Sequence, residues 1–220
     1  MKKLLIALVL LTSFFTGYGQ DSTVVRPNNF VTFGFSSYLY TLAPRFDLGY
    51  NRKISDRIWV GTSIGYGKQF LKNNEGPLFL TKKHYKLYEV RPEVYYDLRP
   101  DSKLKHLLSV EFFYIYHENM FQYSWYNSTD GNRYRFDQAD FKRIKTGANI
   151  NYSLLYYFND RFGIIQKVGL GFRHRHVDFT NIENPSRAFE WNRNDLAYRR
   201  NEGSANGLNL NLDFKLFYKF

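Results

Sequence analysis

The C-terminal segment of the chain, residues 207–220, alternates strictly between apolar and polar side chains and ends in a phenylalanine. Every even position from Leu208 to Phe220 is apolar or aromatic, and every odd position from Asn209 to Lys219 is polar except Phe217. Because successive side chains of a β-strand point to opposite faces, this segment predicts a strand with one apolar and one polar face. The chain must therefore bury that apolar face against lipid or against a protein core.

The N-terminus has the three parts of a secretory signal. Lys2 and Lys3 form a charged region, residues 4–15 an apolar region, and residues 17–19 (Gly-Tyr-Gly) a small-x-small cleavage site. We therefore expect residues 1–19 to be a cleaved signal peptide and residues 20–220 to form a single domain. The chain contains no cysteine, which excludes lipoprotein acylation and a disulfide framework.

The composition is polar on average but unusually aromatic. The mean hydropathy is −0.49, yet 19 tyrosines and 21 phenylalanines occur among 220 residues. Alternating strands with aromatic girdles produce this combination, and beyond the signal no apolar run is long enough for a transmembrane helix. The net charge of +11 is compatible with nucleic acid, but an exported protein rarely meets it, and anionic lipopolysaccharide is the more available partner.

The alternation of side chains predicts eight strands with connections of unequal length. The strands are expected at about 29–38, 44–54, 58–70, 84–98, 106–126, 134–158, 162–178 and 207–220. Short turns are expected at 55–57, 99–105 and 159–161. Apart from the first link, which is short and passes through Pro44, the other links are longer, at 71–83, 127–133 and 179–206. Short periplasmic turns and long external loops are typical of bacterial outer-membrane barrels.

Over its whole mature length this pattern resembles the small eight-stranded OmpA/OmpX-type barrels of Gram-negative outer membranes. The resemblance implies an all-β, transmembrane, antiparallel up-and-down β-barrel with both termini in the periplasm. It also implies the barrel-assembly machinery as a partner, which reads terminal aromatic residues such as Tyr218 and Phe220. A soluble eight-stranded barrel of the lipocalin type would alternate in the same way with its apolar face inward. The export signal, the terminal Phe220 and the mixed charges on the polar face favour the membrane barrel.

The polar faces of the strands predict what fills the barrel. Seven charged residues should point inward at similar heights and form a paired ionic core: Asp47, Arg91, Glu93, Glu111, Lys167, Asp213 and Lys215. Four aromatic residues nearer the periplasm should form a floor: Trp59, Tyr95, Tyr157 and Phe217. An eight-stranded barrel is only just wide enough for its own side chains, so we expect a filled interior.

The segment 174–178 (HRHVD) is the most site-like cluster in the sequence. His174, His176 and Asp178 share one strand face at the outer end of the seventh strand. Their position resembles that of the lipid A deacylases, in which a serine follows the histidine by two residues and a glutamate lies downstream. Here Asp178 occupies the serine position, and a carboxylate cannot replace it as an acyl acceptor, although Glu183 and Glu190 lie downstream. We therefore expect no catalytic, cofactor-binding or metal site.

Two surfaces on the external side are candidate binding sites, one for lipid headgroups and one for another protein. Basic and imidazole side chains are expected to contact lipid headgroups: Lys82, Lys83, Arg173, His174, Arg175 and His176. The fifth and sixth strands overshoot the membrane as a ribbon over 119–140 that carries Phe121, Tyr123, Trp125, Tyr134 and Phe136. These aromatic side chains either pack on one another or form a docking edge for another protein.

The sequence favours a non-enzymatic outer-membrane barrel with a structural or interaction role in the cell envelope, through lipopolysaccharide or as an accessory subunit. The first alternative is a narrow porin-like channel for small solutes, which a filled interior disfavours. The second is a lipid A-modifying enzyme of the deacylase type, which the missing serine disfavours.

Overall fold

A computed structural model describes residues 29–34, 44–68, 83–100, 104–188 and 200–220. Their regular structure is strand: β1 (Asn29–Gly34), β2 (Phe46–Lys53), β3 (Ile58–Lys68), β4 (Lys83–Asp97), β5 (Lys105–Asn127), β6 (Arg133–Tyr157), β7 (Phe162–Glu183), β8 (Ser186–Arg187) and β9 (Gly203–Lys219). The predicted signal peptide, the end of the predicted first strand and most of the predicted link 71–83 lie outside the described residues.

Eight of these strands form a closed antiparallel ring. Each pairs with its sequence neighbour from β1 to β7, β7 pairs with β9, and β9 returns to β1 through pairs such as Val31 with Tyr218. The short β8 pairs only with the end of β6, at Tyr134 and Arg135, and stays outside the ring. Within the ring each described strand is paired on both sides, as a lipid environment requires. Beyond Met120 and Val177, β5 and β7 pair with β6 and with no other described strand. The predicted eight-stranded up-and-down barrel is confirmed.

The apolar faces of the strands point outward. On β9, Leu208, Leu210 and Leu212 are 68%, 82% and 68% exposed, whereas the alternating Asn209 is 5% exposed. A soluble barrel would show the opposite arrangement, because its apolar side chains would fill the interior. The lipocalin-type alternative is therefore excluded.

Aromatic side chains border the exposed apolar belt at both ends. At the end with the short turns, here called the turn end, Tyr96, Tyr152, Tyr156, Tyr218 and Phe220 are exposed. At the opposite end, here called the loop end, Tyr66, Tyr88 and Tyr114 are exposed. On β7 the belt runs from Phe162 to Phe172, a height of about 25 Å at ~3.3 Å per residue and a tilt of about 40°. This matches the hydrocarbon thickness that outer-membrane barrels span.

Three strands continue well beyond the belt at the loop end. β5, β6 and β7 contain 23, 25 and 22 residues, about twice the 9–11 residues that cross a bilayer. The predicted overshoot of the fifth and sixth strands is thus observed, but β7 shares it. The predicted loop 179–206 is too long, because Phe179 pairs with Phe141 and β9 already begins at Gly203. Among the described residues, no helix is long and apolar enough to cross a membrane.

Candidate functional site

The predicted ionic core lies in the middle of the lumen and joins strands from opposite walls. Lys167 on β7 contacts Glu93 on β4, and its Nζ lies 3.2 Å from Glu111 Oε2 on β5. Arg91 Nη1 lies 2.6 Å from the other oxygen of Glu111. The four side chains are 12% exposed or less. Burial of these charges is tolerated because each faces an opposite charge at contact distance.

Neutral side chains complete the hydrogen bonds of the two buried glutamates. Tyr95 Oη and Ser109 Oγ each donate to Glu93 at 2.6 Å, and Asn149 Nδ2 donates to Glu111 Oε1 at 2.8 Å. An asparagine ladder continues from there to β9: Asn209 donates to Asn149 at 2.8 Å and Asn211 to Asn151 at 2.9 Å. Satisfied carboxylates of this kind stabilise one arrangement of the network.

Glycine on β7 makes room for the asparagine ladder. Gly169 pairs with Asn151, and a Cβ at Gly169 would overlap Asn151 Oδ1. Packing therefore explains why glycines alternate with large apolar residues on this strand. They let polar side chains from the neighbouring strand reach across the lumen.

A second set of ion pairs lies beside the first. Lys215 Nζ is 2.7 Å from Asp47 Oδ1 and 3.3 Å from Asp213 Oδ2, so all seven predicted core residues face the lumen in ion pairs. Two further residues of the ionic core, Arg45 and Glu89, were not predicted from the sequence. Glu89 forms ion pairs with both Arg45 and Arg91. Alternation could have found Glu89, because it stands between the outward Tyr88 and Val90.

The predicted aromatic floor lies at the turn end of the lumen. Trp59, Tyr95 and Phe217 are 3%, 9% and 1% exposed, and Tyr157 packs against them with its ring centre 4.9 Å from that of Phe217. Phe30, Leu107, Leu155 and Ile165 belong to the same cluster. Every strand of the ring except β2 thus contributes an apolar side chain to one layer across the lumen.

Little space remains between the floor and the ionic core. A cavity of about 10 Å³ lies there, bordered by Thr32, Ser63, Tyr95, Lys167 and Lys215. This is room for about one water molecule. The side chains therefore fill the cross-section of the barrel in this region, as expected for eight strands.

The predicted rim cluster lies on the outside of the barrel, just beyond the apolar belt. His174 and His176 on β7 are paired in register with Asn206 and Ser204 on β9. His174 Nδ1 lies 2.8 Å from Asn206 Oδ1, and His176 Nδ1 lies 2.8 Å from Ser204 Oγ. His176 Nε2 lies 2.9 Å from Asp178 Oδ1.

Ser204 is a residue that the sequence analysis did not connect with this cluster. The absence of a catalytic site was predicted because the position two residues after His176 holds Asp178. The structure brings a serine hydroxyl to His176 from β9, 28 residues away in the chain. Ser204 fell inside the predicted loop 179–206, so no strand pairing could be inferred for it.

The predicted headgroup contacts divide between the two faces of the barrel. His174 and His176 face outward, but Arg173 and Arg175 alternate with them and face the lumen, where Arg175 is 8% exposed. The expectation that both arginines contact headgroups is therefore wrong. Lys82 and the side chain of Lys83 lie outside the described part of the chain.

Most aromatic side chains of the predicted ribbon 119–140 are buried or half-buried, and few are exposed. Phe121, Tyr126, Phe136, Phe141 and Phe179 form a second buried cluster, against which Tyr134 packs. The side chain of Trp125 lies between Arg133 and Arg200, whose guanidinium carbons are 4.3 and 4.7 Å from its ring centre. Tyr123 differs, because it is 83% exposed and has a φ of 49°.

Within the described ranges, no group of three or more acidic, histidine or cysteine side chains is arranged to hold a metal ion. The rim cluster places His174 and Asn206 together, and His176 with Ser204 and Asp178, as hydrogen-bonded sets.

No known family model matches the chain, and no curated protein sequence matches it. The solved structures that are similar include two outer-membrane proteins. A major outer membrane protein from Thermus thermophilus is 10% identical with a TM-score of 0.45, and the match covers 89% of this chain and 100% of that chain. Neisserial surface protein A is 15% identical with a TM-score of 0.33, and the match covers 88% of this chain and 96% of that chain.

The exposed apolar belt, its aromatic borders and the closed ring of eight strands are all properties of proteins that cross the outer membrane of Gram-negative bacteria. The chain folds as a closed eight-stranded β-barrel with an outward apolar belt, the architecture of small membrane-spanning barrels.

Proposed function

We propose that this barrel is a non-conducting membrane anchor with a structural or interaction role at the loop end, where it contacts lipopolysaccharide. This role needs no catalytic chemistry. The observation that carries the proposal is the lumen, which holds a buried ion network above a layer of packed aromatic and aliphatic side chains. If no solute passes through the lumen, the residues that carry the function lie on the outer surfaces of the barrel.

Passage of solute through the lumen is costly for two physical reasons. An ion would have to cross an apolar layer in which Trp59 and Phe217 are 3% and 1% exposed. It would then have to displace charges such as Lys167 and Glu111 from partners that replace their hydration. Each step costs on the order of several kcal/mol. The channel alternative is therefore disfavoured.

The loop end has a pair of like charges that fits an anionic headgroup. Lys68 on β3 and Lys86 on β4 are exposed, face outward and are directly opposite each other in the sheet. Like charges directly opposite each other destabilise a sheet, and the carboxylate of Glu118 lies opposite Lys86 on its other side and not between the two lysines. They stand immediately beyond Tyr66 and Tyr88, which border the belt, so the phosphates of lipopolysaccharide are the anions at hand.

The extension of β5, β6 and β7 is the second surface on which the proposed role would act. Its buried aromatic cluster holds the strands together well beyond the membrane. Tyr123 of this extension is a large aromatic side chain at the surface, with 83% exposure. The segment 119–140 is thus the proposed contact for a protein partner in the envelope.

Two measurements test this proposal. The refolded barrel in a planar bilayer should carry no steady current, and large, steady openings would favour the channel alternative. Lipopolysaccharide added to the detergent-solubilised barrel should raise its thermal unfolding midpoint. Replacement of Lys68 and Lys86 by glutamate should abolish that increase, whereas the same replacement of Arg57 and Arg161, which are exposed at the turn end, should preserve it.

A further inference from the structure

We propose that Ser204, His176 and Asp178 form a serine-hydrolase triad on the outer rim of the barrel and cleave acyl esters of lipids in the surrounding leaflet. The three side chains form one continuous chain of contacts. Ser204 Oγ lies 2.8 Å from His176 Nδ1, and His176 Nε2 lies 2.9 Å from Asp178 Oδ1. This activity goes beyond the anchor and interaction role and does not depend on it.

The arrangement gives each group the role that acyl transfer needs. The Asp178 carboxylate accepts a hydrogen bond from Nε2–H, which leaves Nδ1 unprotonated and able to accept the proton of the Ser204 hydroxyl. A histidine held by a carboxylate on one side and a hydroxyl on the other is the activation pattern of a nucleophilic serine. His176 Nδ1 is the general base because it faces Ser204, and Nε2 is the orienting nitrogen because it faces Asp178. A catalytic triad is defined by this geometry and not by the order of its residues in the sequence.

The strand pairing holds this geometry. Ser204 on β9 is directly opposite His176 on β7, and Asp178 follows His176 by two residues on the same face. Rigid strands position side chains more precisely than loops do. All three groups are accessible from outside, because Ser204 is exposed and the side chains of His176 and Asp178 are 44% and 41% exposed.

The position of the triad relative to the apolar belt indicates which class of substrate it meets. Phe172 and Leu208, exposed at 73% and 68%, are the last large apolar side chains of the belt on these two strands. The His174–Asn206 pair follows, and the triad lies one step further. The ester groups of membrane lipids lie at this boundary between acyl chains and headgroups. Lys142 on β6 is exposed and lies directly between Asp178 on β7 and Glu118 on β5, and we assign it the contact with a lipid phosphate.

The proposed reaction is hydrolysis with water as the second reactant. Ser204 Oγ bonds to the ester carbonyl carbon as its proton passes to His176 Nδ1. The bond between that carbon and the alcohol oxygen then breaks, and the imidazolium returns its proton to the leaving oxygen. Water, deprotonated by His176, releases the acyl group from Ser204 as a fatty acid. Asn206 lies two residues along β9 on the same face, where its Oδ1 contacts His174 Nδ1 at 2.8 Å, and its side-chain NH₂ is the donor that we assign to the oxyanion.

A fluorophosphonate probe tests the nucleophile directly. The folded barrel in detergent should acquire one adduct, which peptide mass spectrometry should locate on Ser204. His176→Gln should slow its formation on the order of 10²-fold or more, the usual contribution of a general base. Ser186→Ala on β8, an exposed serine outside the triad, should label at the wild-type rate. The absence of a Ser204 adduct on protein with the heat-modifiable migration of a folded barrel would overturn the proposal.

The source of the ester is distinguished by two substrates. The barrel is reconstituted separately with phosphatidylglycerol and with lipid A, and released fatty acid is measured by mass spectrometry. Release from either, lost in Ser204→Ala, supports the triad and identifies the lipid; release from neither overturns it. Asp178→Asn should lower kcat and change the pH profile, which a merely structural Asp178 would not do. Failure of these assays leaves the conductance and lipopolysaccharide results of the anchor role unaffected.

Discussion

Lys167 Nζ lies 3.2 Å from Glu111 Oε2 and also contacts Glu93, and the three side chains are 4% exposed or less. Glu93 on β4 and Glu111 on β5 are 74 and 56 residues from Lys167 on β7 along the chain. One ammonium group therefore joins three strands across the lumen. The position of these strands relative to one another depends on charge as well as on backbone hydrogen bonds.

Removal of that ammonium should destabilise the barrel strongly. Lys167→Met leaves Glu93 without its counter-charge and Glu111 with Arg91 alone, which costs about 3–5 kcal/mol. Urea unfolding in detergent, followed by tryptophan fluorescence, measures the loss. Lys142→Met, at an outward position near the rim, is the matched control and should change the free energy of unfolding by less than about 1 kcal/mol. Equal effects of the two substitutions would contradict a paired core.

The same network predicts a compensating variant. Lys167→Met combined with Glu93→Gln and Glu111→Gln removes Lys167 and its two carboxylates together, while Arg91 keeps Glu89 as its partner, so most of the stability lost in the single variant should return. Urea unfolding under the same conditions compares the two variants. A triple variant less stable than Lys167→Met would mean that the carboxylates have partners stronger than Lys167.

Opening the aromatic floor should create a conducting path. Trp59→Ala together with Tyr157→Ala removes two rings from the layer that crosses the lumen, and single-channel current in planar bilayers should appear. Truncating a buried aromatic side chain also costs about 3–5 kcal/mol. Tyr156→Ala is the control, because Tyr156 neighbours Tyr157 but faces outward and is 54% exposed. Current through Tyr156→Ala, or silence of the double variant, would argue against the floor as the barrier.

The orientation in the membrane is testable by labelling, because the chain has no cysteine of its own. The variant Thr129→Cys, in the turn between β5 and β6, should react with a membrane-impermeant maleimide on intact cells. The variant Asp160→Cys, in the turn between β6 and β7, should react only after the outer membrane is opened. Both positions are exposed, so accessibility differs through the membrane alone. Labelling of Asp160→Cys on intact cells with protection of Thr129→Cys would reverse the orientation.

The terminal aromatic residue should matter more for insertion than for the stability of the finished barrel. Phe220 is 60% exposed and its ring centre lies 6.5 Å from that of Tyr50, so few contacts depend on it. Deletion of Phe220, or its replacement by Asp, should reduce the amount of heat-modifiable barrel in cells. Tyr50→Ala, which leaves the C-terminus intact, should not. Wild-type levels of the Phe220 deletion would show that Tyr218 and Phe220 are not the assembly signal.

The outermost turn should respond to acid. Asp130 accepts hydrogen bonds from the side chain and backbone of Asn132 and from Tyr134 Oη, and these lower the pKa of its carboxyl from 3.8 to about 2. A lowered pKa stabilises the folded turn above the unfolded value of 3.8, and the stabilisation is lost as the pH falls towards 2. Carboxyl NMR titration measures it, and Asn132→Ala should return the pKa towards its ordinary value.

The sequence by itself determined the fold class, the positions of most strands and the orientation of their faces. A period of two in hydrophobicity is decisive where one face meets lipid, because a shift of one residue would turn every polar side chain into the membrane. That pattern was sufficient to place Glu93, Glu111 and Lys167 on the inner face. It also placed Trp59 and Phe217 near the turn end, since the short turns set the height of each strand.

The tertiary structure decided which residues meet. Strand pairing from β7 to β9 crosses a segment of 19 residues between Glu183 and Gly203, and local pattern contains no information on the register across it. That register alone brings Ser204 to His176 and Asn206 to His174. The apolar cluster around Phe179 likewise extends β7 beyond its predicted end. Side-chain alternation along one strand is a local property, whereas contact between strands depends on closure of the whole ring.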